Sequence, residues 1–193
     1  MTTKKPKEER KVFYYQEDKP VTAAGILFIK EETKEVLVQR LPKEDGFIYT
    51  DFGGKIDMSD ESVMDTISRE LGEEINYGIY LKKDKIYLDE KSLKEIIENN
   101  TKNQLYIPFA KYLLTFTQFD SKILALNMKI IGEKEKLDDI QRTVQWISYD
   151  EFISAHFDHK LHPRLWNKSI IEYLGYKSDE EVIVKKLTKF AFK

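Results

Sequence analysis

Three glutamates, Glu70, Glu73 and Glu74, stand three and four positions apart in the run ISRELGEEINY. On a helix that spacing puts all three carboxylates on one strip. Like charges so placed repel, and folding alone does not ask for them. A hard divalent cation with oxygen ligands does. A solvated acidic face is the commoner meaning of such a cluster, so the reading rests on its surroundings. Arg69 sits next to the acids and can orient one of them through its guanidinium fork. Upstream, Gly53, Gly54 and Lys55 offer bare backbone and a cation where a phosphate could approach. Together these residue types suit metal-assisted attack of water on phosphorus.

The acids need an element that presents them. Val63, Met64, Ile67, Leu71 and Ile75 recur every three or four positions, which predicts a helix over about 62–75 with one apolar face. Ser62 is placed to cap it, and Asp65 stands where a capping-box acid belongs. The strand-like run FIYTDF (47–52) delivers the chain to Gly53.

The stretch from Gly53 to Tyr77 resembles the Nudix box, G-x5-E-x7-R-E-U-x-E-E-x-G-U, with U a bulky aliphatic. Arg69-Glu70-Leu71-Gly72-Glu73-Glu74 matches R-E-U-x-E-E residue for residue, and seven residues separate Glu61 from Arg69, as the box requires. Three departures stand out. Six residues rather than five lie between Gly54 and Glu61, so either the loop carries an extra residue or Asp60 slides into register. Asn76 replaces the last glycine, a mild change because Asn tolerates the left-handed conformation expected past a helix end. Tyr77 replaces the final aliphatic.

The resemblance implies an α/β/α sandwich around a mixed β-sheet, and the strand order extends the likeness over most of residues 20–155. It implies Mg²⁺ or Mn²⁺ held by Glu70, Glu73 and Glu74, and hydrolysis of a P–O–P bond. Glu73, Glu74, Arg69 and Glu61 would form the catalytic set, with Glu61 ordering the loop more than binding metal. Gly53, Gly54 and Lys55 would approach the phosphates. Many members place a further acid outside the box, and the candidates here are Glu133, Glu135, Asp138 and Asp139. No spacing rule chooses among the four.

The 193 residues suffice for one domain with an extension. We expect an N-terminal arm over 1–19, the main domain over 20–155, and a C-terminal helical extension over 156–193 packed on it. Strands are expected at 21–29, 35–39, 47–52, 104–107, 111–118 and 143–148, and helices at 89–100, 149–155 and 164–173. Val12 to Tyr15 could add an edge strand. Residues 41–46 read as a loop. The region 77–88 holds a strand at 78–81 or 86–88, and 122–131 fits a strand or a helix equally.

Net charge is −2 and there is no cysteine, so neither a global basic field nor a disulfide framework is expected. No apolar run approaches a membrane span, and MTTKKPKEER lacks the apolar core of a secretory signal, so a cytoplasmic protein is expected. No obligate protein partner is evident. His156, His159 and His162 fall three apart and invite a zinc reading. Pro163 disfavours helix at His162, so the three are not expected on one face.

The expected substrate is a nucleoside diphosphate linked to another group. A capped RNA is one choice, suggested by Lys4, Lys5, Lys7, Arg10 and Lys11 at one end and Lys185, Lys186, Lys189 and Lys193 at the other. A nucleoside triphosphate, nucleotide sugar, dinucleoside polyphosphate or diphosphoinositol polyphosphate remains open. A fold kept for nucleotide or RNA binding without turnover is the alternative of another class.

Overall fold

The computed structural model describes residues 11–135 and 140–177. The chain begins with β1 (Phe13–Tyr15) and β2 (Lys19–Val21), a separate two-stranded ribbon. Then come β3 (Ala23–Lys30), β4 (Glu35–Lys43), β5 (Gly46–Thr50), β6 (Phe52–Lys55) and α1 (Val63–Glu74). Next are β7 (Ile79–Leu81), β8 (Ile86–Tyr87), α2 (Glu90–Asn100), β9 (Thr101–Ile107), β10 (Tyr112–Gln118) and β11 (Leu124–Leu126). The last elements are α3 (Met128–Ile131), β12 (Thr143–Ser148), α4 (Tyr149–Phe157) and α5 (Lys168–Tyr173).

The central sheet runs β12-β4-β3-β10-β9, and it is mixed because β10 and β3 are parallel while the other pairs are antiparallel. Successive strand residues point to opposite faces. Ile26 and Phe28 of β3 therefore face α1 and α2, with Ile67, Leu71, Leu93 and Ile97. Leu27 and Ile29 face the other way, onto Phe152 of α4 and Ile170 and Ile171 of α5. The result is the three-layer α/β/α sandwich around a mixed sheet that the sequence led us to expect. Ile67 and Leu71 are fully buried, and each such burial contributes about 1.5–3 kcal/mol.

Several local readings change. The helix expected at 164–173 is a 3-10 turn over Pro163–Leu165 followed by α5 from Lys168. Residues 41–46 are not a loop: β4 continues to Lys43 and pairs with β5 up to Lys43–Gly46. Pro42 is tolerated because β12 stops pairing with β4 at Arg40, and sheet edges accept proline. The two strand choices in 77–88 are both present, paired with each other as β7 and β8. The region 122–131 is strand and helix in turn, divided at Asn127, whose side chain caps α3.

One irregularity of the sheet matters for the site. β3 and β4 pair directly only at Ile29–Val36 and Lys30–Glu35. Beyond that they part, and the gap is filled by β5 lying on β4 and β6 lying on β3. The chain crosses this wedge at Asp51, which is fully buried.

Candidate active site

α1 forms where the periodicity places it. Ser62 caps the helix by accepting a hydrogen bond from the Asp65 N–H, and the Asp65 carboxylate accepts from the Ser62 hydroxyl and from the Glu61 N–H, one residue before the cap. At the other end Asn76 has φ +53, the left-handed conformation expected there. Its amide donates to the Ile131 carbonyl at 2.7 Å and the Lys134 carbonyl at 3.0 Å, tying the helix end to the loop before β12.

The helix lays its acids on the glycines that close the wedge. The Gly53 N–H donates to Glu74 Oε2 at 2.7 Å. A Cβ on Gly54 would lie 2.3 Å from Glu70 Oε2, so only glycine lets that carboxylate in. A Cβ on Gly53 would lie 2.4 Å from the Ala24 carbonyl oxygen and from Gly25 Cα. The Gly53 N–H and the open side of Gly54 are thus occupied by carboxylates of α1. Lys55 is exposed beside them.

Burial pushes the Glu74 carboxyl well above the ordinary range, against the pull of Gln39 and Arg164, with Asp51 and Glu70 raising it further. Glu70 is also raised, by burial first and then by Glu73 and Asp60, against the attraction of Arg69. Carboxyls in this condition gain from a nearby cation.

Arg69 makes a fork onto Asp60, Nε to Oδ1 and Nη2 to Oδ2, both at 3.1 Å. It also donates to Glu70 at 2.8 Å, Glu73 at 3.4 Å and the Lys55 carbonyl at 3.0 Å. Asp60 is 3% exposed and also accepts from the Asp57 N–H and the Thr66 hydroxyl at 2.8 Å each. Burial works against its charge, but the Arg69 fork and these donors outweigh it and hold its carboxyl below the usual value. Glu61, by contrast, is exposed. Asp60, in the register counted from Gly54, therefore occupies the buried position that locks the loop. Arg69 acts as a positioning residue in this geometry.

Of the acids proposed outside the box, Asp138 and Asp139 lie outside the described residues. Glu133 is exposed and Glu135 is 7% exposed. Between them and β12, Arg142 is buried to 1% and donates to the carbonyls of Gly132 at 3.0 Å and Ile131 at 3.2 Å. Burial lowers its pKa, and the charges of Glu135 and Glu74 oppose that.

The sequence reading missed the polar filling of the wedge. Arg164 Nε donates to Asp51 Oδ1 at 2.7 Å, and its Nη2 donates to Thr50 Oγ1 at 3.1 Å and the Gly53 carbonyl at 3.3 Å. Tyr112 donates to the other Asp51 oxygen at 2.5 Å, and Gln39 donates to the Asp51 carbonyl at 3.1 Å. Backbone bonds between Tyr49 and both Lys160 and His162 deliver Arg164 to this place. An aspartate inside the apolar run FIYTDF was the one available signal.

Among the described residues no three histidine, aspartate or glutamate side chains converge into a ready metal cage. His156, His159 and His162 accordingly form none. The glutamates of α1 fit a different demand. Mg²⁺ keeps several waters and binds through few carboxylates plus substrate phosphates. Glu70, Glu73 and Glu74 are the residues that would hold it.

The chain thus combines a layered α/β/α fold with carboxylates seated on a glycine pair in a split sheet. A model of the NUDIX domain matches residues 19–168, and the chain belongs to the Nudix hydrolase family. No curated protein matches it. No helix among the described residues is long and apolar enough to cross a membrane.

Proposed function

We propose that the protein is a divalent-metal-dependent pyrophosphohydrolase that cleaves the P–O–P bridge of a nucleoside diphosphate linked to another group. The observation that carries this is the seating of Glu74 on the Gly53 N–H and of Glu70 against Gly54, both with raised pKa. Bound Mg²⁺ or Mn²⁺ would neutralise the diphosphate and acidify a water. The chain supplies the rest. Arg69 and Asp60 hold the loop that carries Lys55 and fix Glu70, while Lys55 is free to meet a phosphate oxygen as a point charge.

Among such substrates we favour a capped RNA 5′ end. Lys11 supports this by position: its ammonium donates to the carbonyls of Asp60 and Met58, which sets Lys11 itself on the box loop. The alternative of a binding module without turnover drew on the extra loop residue. The Asp60–Arg69 fork absorbs that residue, so this alternative loses its main support.

The test is a panel of phosphoanhydrides, including cap analogue, nucleoside triphosphates, nucleotide sugars, dinucleoside polyphosphates and diphosphoinositol polyphosphate, assayed with Mg²⁺ and with Mn²⁺. Turnover should vanish with EDTA and return with metal. Glu73→Gln and Glu74→Gln should each slow it by about a hundredfold or more, a loss of about 2.7 kcal/mol in transition-state stabilisation. Full activity of both variants, or binding without turnover at saturating Mn²⁺, would reject the assignment.

A further inference from the structure

Arg164 is 113 residues distant from Asp51 in sequence, yet it is built into the strand that carries the glycine pair. Its side chain is only 19% exposed and lies over the Tyr112 ring, 5.0 Å from the centroid. Neutralising the buried Asp51 carboxylate needs only one of its bonds. The other two go to Thr50 on one side of the strand crossing and to the Gly53 carbonyl on the other. A simple counter-charge has no use for them.

The Gly53 carbonyl is the significant acceptor. Gly53 has no Cβ to restrict φ and ψ, so the direction of its N–H depends on what holds the flanking peptides. Arg164 holds the peptide that follows Gly53. The peptide that precedes it donates its N–H to Glu74. Gly53 lies in β6, which pairs with β3 along one edge only, and Arg164 and Glu74 thus grip its two flanking peptides on the edge that faces the wedge.

We propose that Arg164 is a positioning residue for Glu74, acting through Gly53 to fix the Glu74 carboxylate among the groups that bind metal. The proposal rests on the reading of Glu74 as a metal ligand. It makes the segment after residue 160 part of the active site rather than an appendage to the fold.

The experiment uses the full chain and Mn²⁺ alone, with bound metal counted by electron paramagnetic resonance without substrate. Arg164→Lys keeps a cation for Asp51 but loses the fork. Asp51→Asn combined with Arg164→Met removes the buried pair together, so neither charge is left alone. Both proteins should unfold cooperatively near the parent temperature, yet bind Mn²⁺ at least tenfold more weakly. Turnover should fall in kcat, with KM changed less than threefold. In a Glu74→Gln background, Arg164→Lys should weaken Mn²⁺ binding no further, because the effect passes through Glu74. Mn²⁺ affinity within twofold of the parent in either Arg164 variant, or additive losses with Glu74→Gln, would overturn the proposal. Should the parent cleave no phosphoanhydride while the variants still lose Mn²⁺ as described, the assigned reaction fails and the positioning role stands.

Discussion

Asp60 receives Arg69 through two parallel hydrogen bonds of 3.1 Å, while its neighbour Glu61 points to solvent. Counting back from Arg69 selects Glu61; counting forward from Gly54 selects Asp60. Packing resolves the ambiguity, because the loop closes over Asp60 and leaves Glu61 outside.

Asp60→Ala should therefore destabilise the protein by about 3 kcal/mol, the lower end for breaking a buried ion pair, since Arg69 keeps other acceptors. Glu61→Ala should stay within about 0.5 kcal/mol of the parent, as exposed positions do. Urea unfolding of the two variants measures both. A larger loss for Glu61→Ala would reverse the assignment.

The same pair sets a pH dependence. The Asp60 carboxyl is held below its ordinary value of 3.8 in the folded protein. The unfolded chain thus binds the proton more readily, and the stabilisation is present above the ordinary value and lost as pH falls through the folded one. The stability gap between parent and Asp60→Asn should be constant from pH 7 to 5 and shrink below about pH 4. Unfolding curves across this range check it; a gap that persists to pH 2 would mean Asp60 is not the group.

Two adjacent glycines should respond differently to the same change. In Gly53→Ala the new methyl meets backbone at 2.4 Å, at Ala24 and Gly25, and backbone has nowhere to go. A loss of about 3 kcal/mol is expected, at the upper end for overpacking. In Gly54→Ala the three nearest atoms all belong to the movable end of Glu70. Stability should hold to within about 1 kcal/mol, while kcat drops by about tenfold or more as that carboxylate is displaced. Calorimetry and steady-state kinetics on both variants decide this; equal stability losses would refute the geometry.

The basic termini carry the last prediction. Lys4, Lys5, Lys7 and Arg10, with Lys185, Lys186, Lys189 and Lys193, lie outside the described residues. Lys11 is already committed to the box loop. If the termini hold RNA, the protein trimmed to residues 11–177, which keeps Lys11 on the box loop and β1 paired with β2, should cleave a cap analogue as the full chain does. Only the full chain should prefer cap on a long RNA, with a salt slope steeper by about one unit per phosphate contact. Equal rates on long RNA at low and moderate salt would return a small nucleotide to first place.

What could be read from the sequence was what repeats locally. α1 announced itself through period, cap and charge, and β12 and α4 through a clean change of period. The region 122–131 resisted because two short elements with different periods share it, each too short to show its own. The carboxylate strip and the glycine pair were legible because they lie within one stretch. The Asp51–Arg164 pair was not, since nothing local to Arg164 indicates which buried acid it will meet.

That separation gives the molecule a schedule. At about 5–20 residues per second, the ribosome takes roughly 6–23 s to travel the 113 residues from Asp51 to Arg164. For most of that interval, once Glu74 has been made, the nascent chain owns its complete acid helix and both glycines, but the aspartate at the strand crossing has no Arg164 to bury it with. An unpaired carboxylate resists leaving water, so burial of Asp51 in the gap between β3 and β4 is unfavourable until Arg164 arrives. The lower face of the sheet, which Leu165, Ile170 and Ile171 must cover, waits for the same segment. One guanidinium thus acts as a late keystone, and its arrival joins completion of the core to completion of the site.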